Sequence, residues 1–258
     1  MTQKSIFITG AGSGIGLATA QRFLQAGWFV GAFDLNVEGV QALADQHGEG
    51  KVYADVIDVT DDDSVSAAIT AFTAATSGPM DVLFNSAGVL QIGPFADVPL
   101  DKHLWHMNVN FGGIMRVSLA ALPALKATSG ARVINMSSAS ADYGTPDFAS
   151  YSATKFAVRG LTEALNLEWQ PQDIHVCDVM PPFVRTAMLA DKPDNVSSIE
   201  RLGVRLTPEQ VADSVWQAAT GRKKVHWPVG SQFKLLYYSG QILPTWVKRL
   251  VIRSLAVH

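Results

Sequence analysis

The sequence has 258 residues, 48% hydrophobic and 17% charged, enough apolar material for one sizeable core, and a single domain over 1–258 is expected. Its 20 Lys and Arg against 23 Asp and Glu give a net charge of -3, which excludes the basic footprint of a nucleic-acid-binding protein. The lone cysteine, Cys177, excludes an internal disulfide, and no run of about 20 apolar residues is present to span a membrane.

The opening, MTQKSIFITG, lacks a long apolar segment with a cleavage site, so a cytoplasmic protein is expected. Ser5 to Thr9 is a short β-prone run, followed by a glycine-rich turn and by helical periodicity over 15–26. The alternation continues with strands over 29–34, 52–58 and 82–85 and helices over 37–46 and 62–76. Helices then follow over 101–125 and 150–169, with strands over 132–137 and 175–180. Most of these strands are continuous apolar runs, as a parallel sheet covered on both faces requires. The expected fold class is therefore α/β, a doubly wound Rossmann-type parallel sheet with helices on both faces. Its ligand crevice falls at the carboxyl ends of the first and fourth strands, where Thr9 and Asn85 stand.

The stretch 187–207, with Pro193, Asp194, Asn195 and paired serines, is the least regular and is expected to be a substrate lid, with a plain surface loop as the alternative. Beyond it, 231–258 is rich in aromatic and apolar residues, interrupted by Lys248, Arg249 and Arg253. Its helical stripe predicts packing on the domain or on a sister subunit, with contact to a membrane surface as the alternative.

Thr9 to Gly16 reads TGAGSGIG, between the first strand and the first helix. Glycines at 10, 14 and 16 permit the tight turn and let backbone approach a pyrophosphate, while the helix N-terminus offers N–H groups to the anion. Asp34 closes the second strand, where a carboxylate hydrogen-bonds an adenosine ribose and repels a 2′-phosphate. No Arg or Lys occurs in 11–13 or 35–37 to neutralise that phosphate, so NAD is favoured over NADP.

Tyr151 and Lys155 stand four apart in YSATK within a predicted helix and share one face. A free tyrosine is only about 0.1% ionised at neutral pH, and a nearby ammonium favours the phenolate, so Tyr151 could serve as an acid or base. Ser138, at the end of RVINMSS, could polarise the substrate oxygen, with Ser137 as the competing assignment. His103 and His106 share a helix face, but no third ligand completes a metal set.

Together these residues resemble the short-chain dehydrogenase/reductase family from Thr9 to about Thr186. The matching motifs are TGAGSGIG, Asp34, Asp58 with Val59, NSAG at 85–88, Asn110 in MNVNFGG, Ser138, YSATK and PPFVRT at 181–186. The resemblance implies an oxidoreductase moving hydride between nicotinamide and a secondary alcohol or ketone, with Tyr151 as acid/base and Ser138 orienting the reacting oxygen. It also implies that Lys155 lowers the tyrosine pKa and binds the nicotinamide ribose, and that Asn110 holds a water connecting Lys155 to solvent. The cofactor contacts it implies are Gly10, Ser13, Gly14, Ile15, Gly16, Asp34, Leu35, Asp58, Val59, Asn85, Ala87 and Gly88. Tyr151, Lys155, Pro181, Val184 and Thr186 complete that set.

Two departures stand out: Ser86 replaces the family's frequent second Asn, and Pro182 replaces its usual Gly. The C-terminal segment lacks the family's glycine-bearing tetramer motif, so a homodimer is as expected as a homotetramer. The expected partner is a small-molecule alcohol or ketone, and the apolar residues near 89–95, 140–148 and 183–205 suggest a hydrophobic one. A dinucleotide sensor without turnover and an epimerase or dehydratase are the other functions considered.

Overall fold

The computed structural model describes residues 3–48, 50–189 and 204–256. Seven parallel strands form one sheet in the order β3-β2-β1-β4-β5-β6-β7. These are β1 (Ser5–Thr9), β2 (Phe29–Asp34), β3 (Val52–Val56), β4 (Val82–Asn85), β5 (Arg132–Met136), β6 (His175–Met180) and β7 (His226–Pro228). Helices α1 (Gly14–Gln25), α2 (Val37–His47), α3 (Asp62–Ala75), α5 (Gly113–Lys126) and α6 (Ala149–Glu168) connect them, with α4 (Leu100–Met107) leading into α5. Strand order reverses between β1 and β4, which opens a crevice at their carboxyl ends, as the alternation predicts.

The sheet is apolar on both faces because successive side chains alternate across it. Ile6, Ile8, Val30 and Phe84 face Phe23 of α1, Val40 of α2 and Val211 and Val215 of α7 (Pro208–Thr220). Phe7, Phe33, Leu83 and Val133 face Phe72 of α3, Val117 and Leu125 of α5, and Trp169. Phe7 stacks on Phe33 at 4.3 Å and meets Phe72 edge-on at 5.3 Å. Gly31 lies within β2, where a Cβ would stand 2.4 Å from the Phe72 ring.

Three features depart from the sequence reading. The helix expected over 101–125 is two helices, joined by a π-helical turn at Asn108–Gly112. Strand β7 was not expected, being three residues that owe their place to pairing with β6. Helix α7 was also missed, although Thr207, Pro208 and Gln210 form a capping box with proline in the first turn, a signal readable in sequence.

The C-terminal segment forms α8 (Ser231–Gly240) and α9 (Thr245–Ala256). Among the described residues no helix is long and apolar enough to cross a membrane.

Candidate active site

One wall of the crevice is backbone. The Thr9 hydroxyl accepts hydrogen bonds from the Ser86 and Ala87 N–H groups, both at 3.1 Å, and so ties the loop after β4 to the end of β1. Gly10 sits against that loop with φ +71°, and a Cβ there would lie 2.8 Å from the Ala87 Cα. At Gly16 a Cβ would lie 1.9 Å from the Gly10 carbonyl oxygen, so the helix can start this close to the turn only without a side chain.

Helix α1 begins without a side-chain cap at Ser13 and without an acid in its first turn. By contrast, Asn36 caps α2 and Asp61 caps α3. Ser13, Gly14, Ile15 and Gly16 line the cleft, so the positive end of α1 faces a space where an anion would be held.

Asp34 borders the cleft beside Leu35 and organises the turn. One oxygen accepts from the Gly12 N–H at 2.8 Å and the other from the Asn36 N–H at 2.9 Å. Asp58 also borders it, accepting from the N–H and hydroxyl of Thr60 at 2.8 and 2.7 Å, with Val59 alongside. Because Asp61 caps α3, Asp58 is not needed for that purpose.

The opposite wall is built of side chains. Tyr151 and Lys155, on the first turns of α6, and Ser138, just past β5, border one cleft of about 850 Å³. The Lys155 ammonium donates to the Met136 carbonyl at 2.8 Å and stands 5.4 Å from the centre of the Tyr151 ring. Burial pulls Lys155 down to about 8. Burial pushes the Tyr151 phenol above its ordinary value, while its hydrogen bond with Ser138 opposes the rise. The net effect on the phenol is a rise, because desolvation of the phenolate exceeds the opposing hydrogen bond from Ser138.

Ser138 accepts from the Ser140 N–H at 3.1 Å, and it is Ser138, not Ser137, that pairs with Tyr151. The Ser137 hydroxyl is buried without a hydrogen-bond partner among the described residues.

Two expected site residues lie behind the cleft. Asn85 is buried in the sheet, donating to the Asn135 side-chain oxygen at 2.9 Å and to Ser118 at 3.1 Å. Its assignment as a cofactor-lining residue is corrected: Ser86, Ala87 and Gly88 line the space instead. Asn110 is fully buried in the π-helical turn, where its amide brackets Val89, accepting from the N–H at 2.7 Å and donating to the carbonyl at 2.9 Å. With the amide engaged, Asn110 is a clamp on the loop after β4, and a water relay through this turn has to use main-chain groups.

Pro181, Val184 and Thr186 border the cleft as expected, and a Cβ at Gly14 would touch the Thr186 methyl at 3.3 Å. A bridge between Val184 and Leu206 closes the base of the segment expected to be a lid, most of which, 190–203, lies outside the described residues.

The aromatic tail beyond 231 reaches the mouth of the cleft through α8, where Phe233, Leu235, Leu236 and Ser239 line it. The helical spacing of SQFKLLYY is the sequence signal for that helix. His106 accepts from the Gln91 N–H at 2.8 Å, and His103 contacts Ser150 and the Phe95 carbonyl, so both are structural. No group of three or more metal-ligating side chains occurs among the described residues.

Helix α6 is fixed by charge. Asp178, fully buried on β6, contacts His226 of β7 at 2.9 Å, and His226 reaches Glu163 at 3.1 Å. Glu163 also pairs with Arg159 at 3.0 Å, so the helix that carries Tyr151 and Lys155 is joined to two strands.

The short chain dehydrogenase family matches residues 4–197, and the chain belongs to it. It is thus an oxidoreductase of a family that uses nicotinamide cofactors. D-threitol dehydrogenase of Mycolicibacterium smegmatis is 34% identical over 187 residues, 72% of each chain. Cyclohexanol dehydrogenase of an Acinetobacter species is 30% identical over 219 residues, 82% of this chain and 86% of the relative. A crystal structure of 3-ketoacyl-(acyl-carrier-protein) reductase from Brucella melitensis complexed with NADH has a TM-score of 0.79 at 26% identity, covering 89% of this chain and 98% of that one.

Proposed function

We propose that this chain is an NAD-dependent dehydrogenase that interconverts an apolar secondary alcohol and its ketone. The observation that carries the reading is the meeting of Ser138, Tyr151 and Lys155 on the wall opposite a glycine cradle and an uncapped helix start. The cradle fits a dinucleotide: side chains are sterically barred at Gly10 and Gly16, and the α1 N-terminus suits a pyrophosphate. Asp34 at the cleft edge favours a ribose with a free 2′-hydroxyl. A dinucleotide held by the Gly10 to Gly16 turn and Asp34 would supply a hydride acceptor for the alcohol and a hydride donor for the ketone.

The protein's own residues handle the proton. The Ser138 hydroxyl holds the substrate oxygen, and the Tyr151 oxygen takes the hydroxyl proton in oxidation or gives it in reduction. Lys155, anchored by the Met136 carbonyl, presents positive charge near the phenol and stabilises its ionised form. Leu90, Phe148, Phe183 and the α8 side chains give the substrate end an apolar lining. Relatives bearing the names D-threitol and cyclohexanol dehydrogenase support an alcohol as substrate, and the lining favours the apolar kind.

We also read the whole chain as one catalytic domain, cytoplasmic, and self-associating. Leu104, Leu119, Phe156 and Leu167 on α4, α5 and α6 are exposed apolar residues suited to a contact between copies.

A panel of secondary alcohols with NAD and NADP, followed by the absorbance of the reduced nicotinamide, tests the reading. Tyr151→Phe should lower kcat/KM by about 1,000-fold with NAD binding retained. Near-normal turnover in that variant would remove Tyr151 from the chemistry.

A further inference from the structure

From Ser214 to His258 the sequence contains seven Lys and Arg and no Asp or Glu, although the whole chain is net negative. Lys234 of α8 and Arg249 and Arg253 of α9 make no ion pair with any described residue. The same two helices expose large apolar side chains. On α8 the buried pair Phe233 and Tyr237 faces the domain, leaving Leu235 and Tyr238 at 75% and 54% exposure. The connecting turn exposes Ile242 at 87%, and on α9 Trp246 and Leu250 are 64% and 56% exposed. Spacings of three and four put Trp246, Arg249, Leu250 and Arg253 on one side of α9.

An occupant of this surface has to satisfy apolar groups and unpaired cations together. A second copy docked by a two-fold axis would bring like charges toward one another, which opposes that contact. An anionic lipid surface accepts both, taking Trp, Tyr and aliphatic side chains into its headgroup boundary and the cations onto its phosphates and carboxylates. Leu235 also borders the cleft, so the exposed apolar surface runs into the mouth of the site.

We propose that α8 and α9 seat the protein on an anionic lipid surface, through Leu235, Tyr238, Ile242, Trp246 and Leu250 flanked by Lys234, Arg249 and Arg253. An apolar substrate dissolved in the lipid then reaches the cleft along α8. This entry route rests on the alcohol and ketone reading; the docking does not, and it is measured without turnover.

The test is cosedimentation of the full chain with vesicles of phosphatidylcholine alone and of phosphatidylcholine mixed equally with phosphatidylserine. Binding should appear with the anionic vesicles and weaken as salt rises. Arg249→Glu with Arg253→Glu should lower the partition coefficient by at least roughly tenfold, since each cation near such a surface contributes about fivefold. Trp246→Ser with Leu250→Ser should reduce it comparably, with unchanged circular dichroism because these side chains are exposed. The proposal is overturned by equal binding to both vesicles, by indifference to the charge reversal, or by absence of binding. It is equally overturned if the Trp246→Ser, Leu250→Ser chain loses a dimer seen by sedimentation equilibrium, which would identify a second copy as the occupant.

Discussion

The two walls of the cleft are built on opposite principles. The β1–β4 wall is main chain brought close by missing side chains, with Thr9 and Asp34 holding the loops through backbone N–H groups. The α6–α8 wall is side chains positioned by burial and charge, with Lys155 on the Met136 carbonyl and α6 joined to β6 and β7 through Asp178, His226 and Glu163. The first wall suits an anionic ligand held by main-chain N–H groups, while the second suits chemistry and substrate choice. The contrast teaches that the first wall is damaged by adding atoms and the second by removing them.

The sharpest test adds one methyl group. Gly16→Ala should destabilise the fold by about 4 kcal/mol, because the new Cβ collides with main chain rather than with a mobile side chain. Urea denaturation checks this, and a loss under 1 kcal/mol would mean that the turn yields easily.

On the other wall, His226→Ala should cost about 3 kcal/mol in the same assay by leaving Asp178 buried without its imidazole partner. A negligible change would show that the carboxyl takes up a proton at little cost.

A smaller effect concerns pH. Lys155 is held at about 8 in the fold against 10.5 when free, so the unfolded chain binds more protons between those values. Stability should therefore gain a rising contribution over that window, and the amine's unfavourable burial should be felt in full below pH 8. Lys155→Met should remove that slope, which melting temperatures across the window would report. An unchanged slope would place the titration elsewhere.

Smallest is the change at the ribose end. Asp34→Asn should shift preference toward NADP by about tenfold, roughly 1.4 kcal/mol, as the carboxylate charge is lost while an acceptor for the turn remains. Ratios of kcat/KM for the two cofactors measure it, and an unaltered ratio would exclude Asp34 from the choice.

Much of this was legible because it is local. The apolar runs of β1, β2, β4 and β6, the glycine turn and the four-residue spacing of Tyr151 and Lys155 require only short-range rules of backbone and periodicity. The errors fall where a distant partner decides. Asn85 looks like a strand-end contact for a ligand until Asn135 and Ser118, 50 and 33 residues away, take up its amide. The motif around Asn110 likewise gives no sign that a π-helical turn holds its amide on Val89. Three residues of β7 carry too little pattern to announce a strand without β6 beside them.

The sequence by itself determined the alternation of elements, the sites where only glycine fits a turn, and the identity of the groups able to move a proton. Tertiary structure alone decided which polar side chains face the cleft and which are consumed inside the sheet. It also decided that burial outweighs the Ser138 hydrogen bond at Tyr151. The physical reason is that hydrogen-bond capacity and desolvation depend on what surrounds a group in space, and those surroundings come from parts of the chain far apart in sequence.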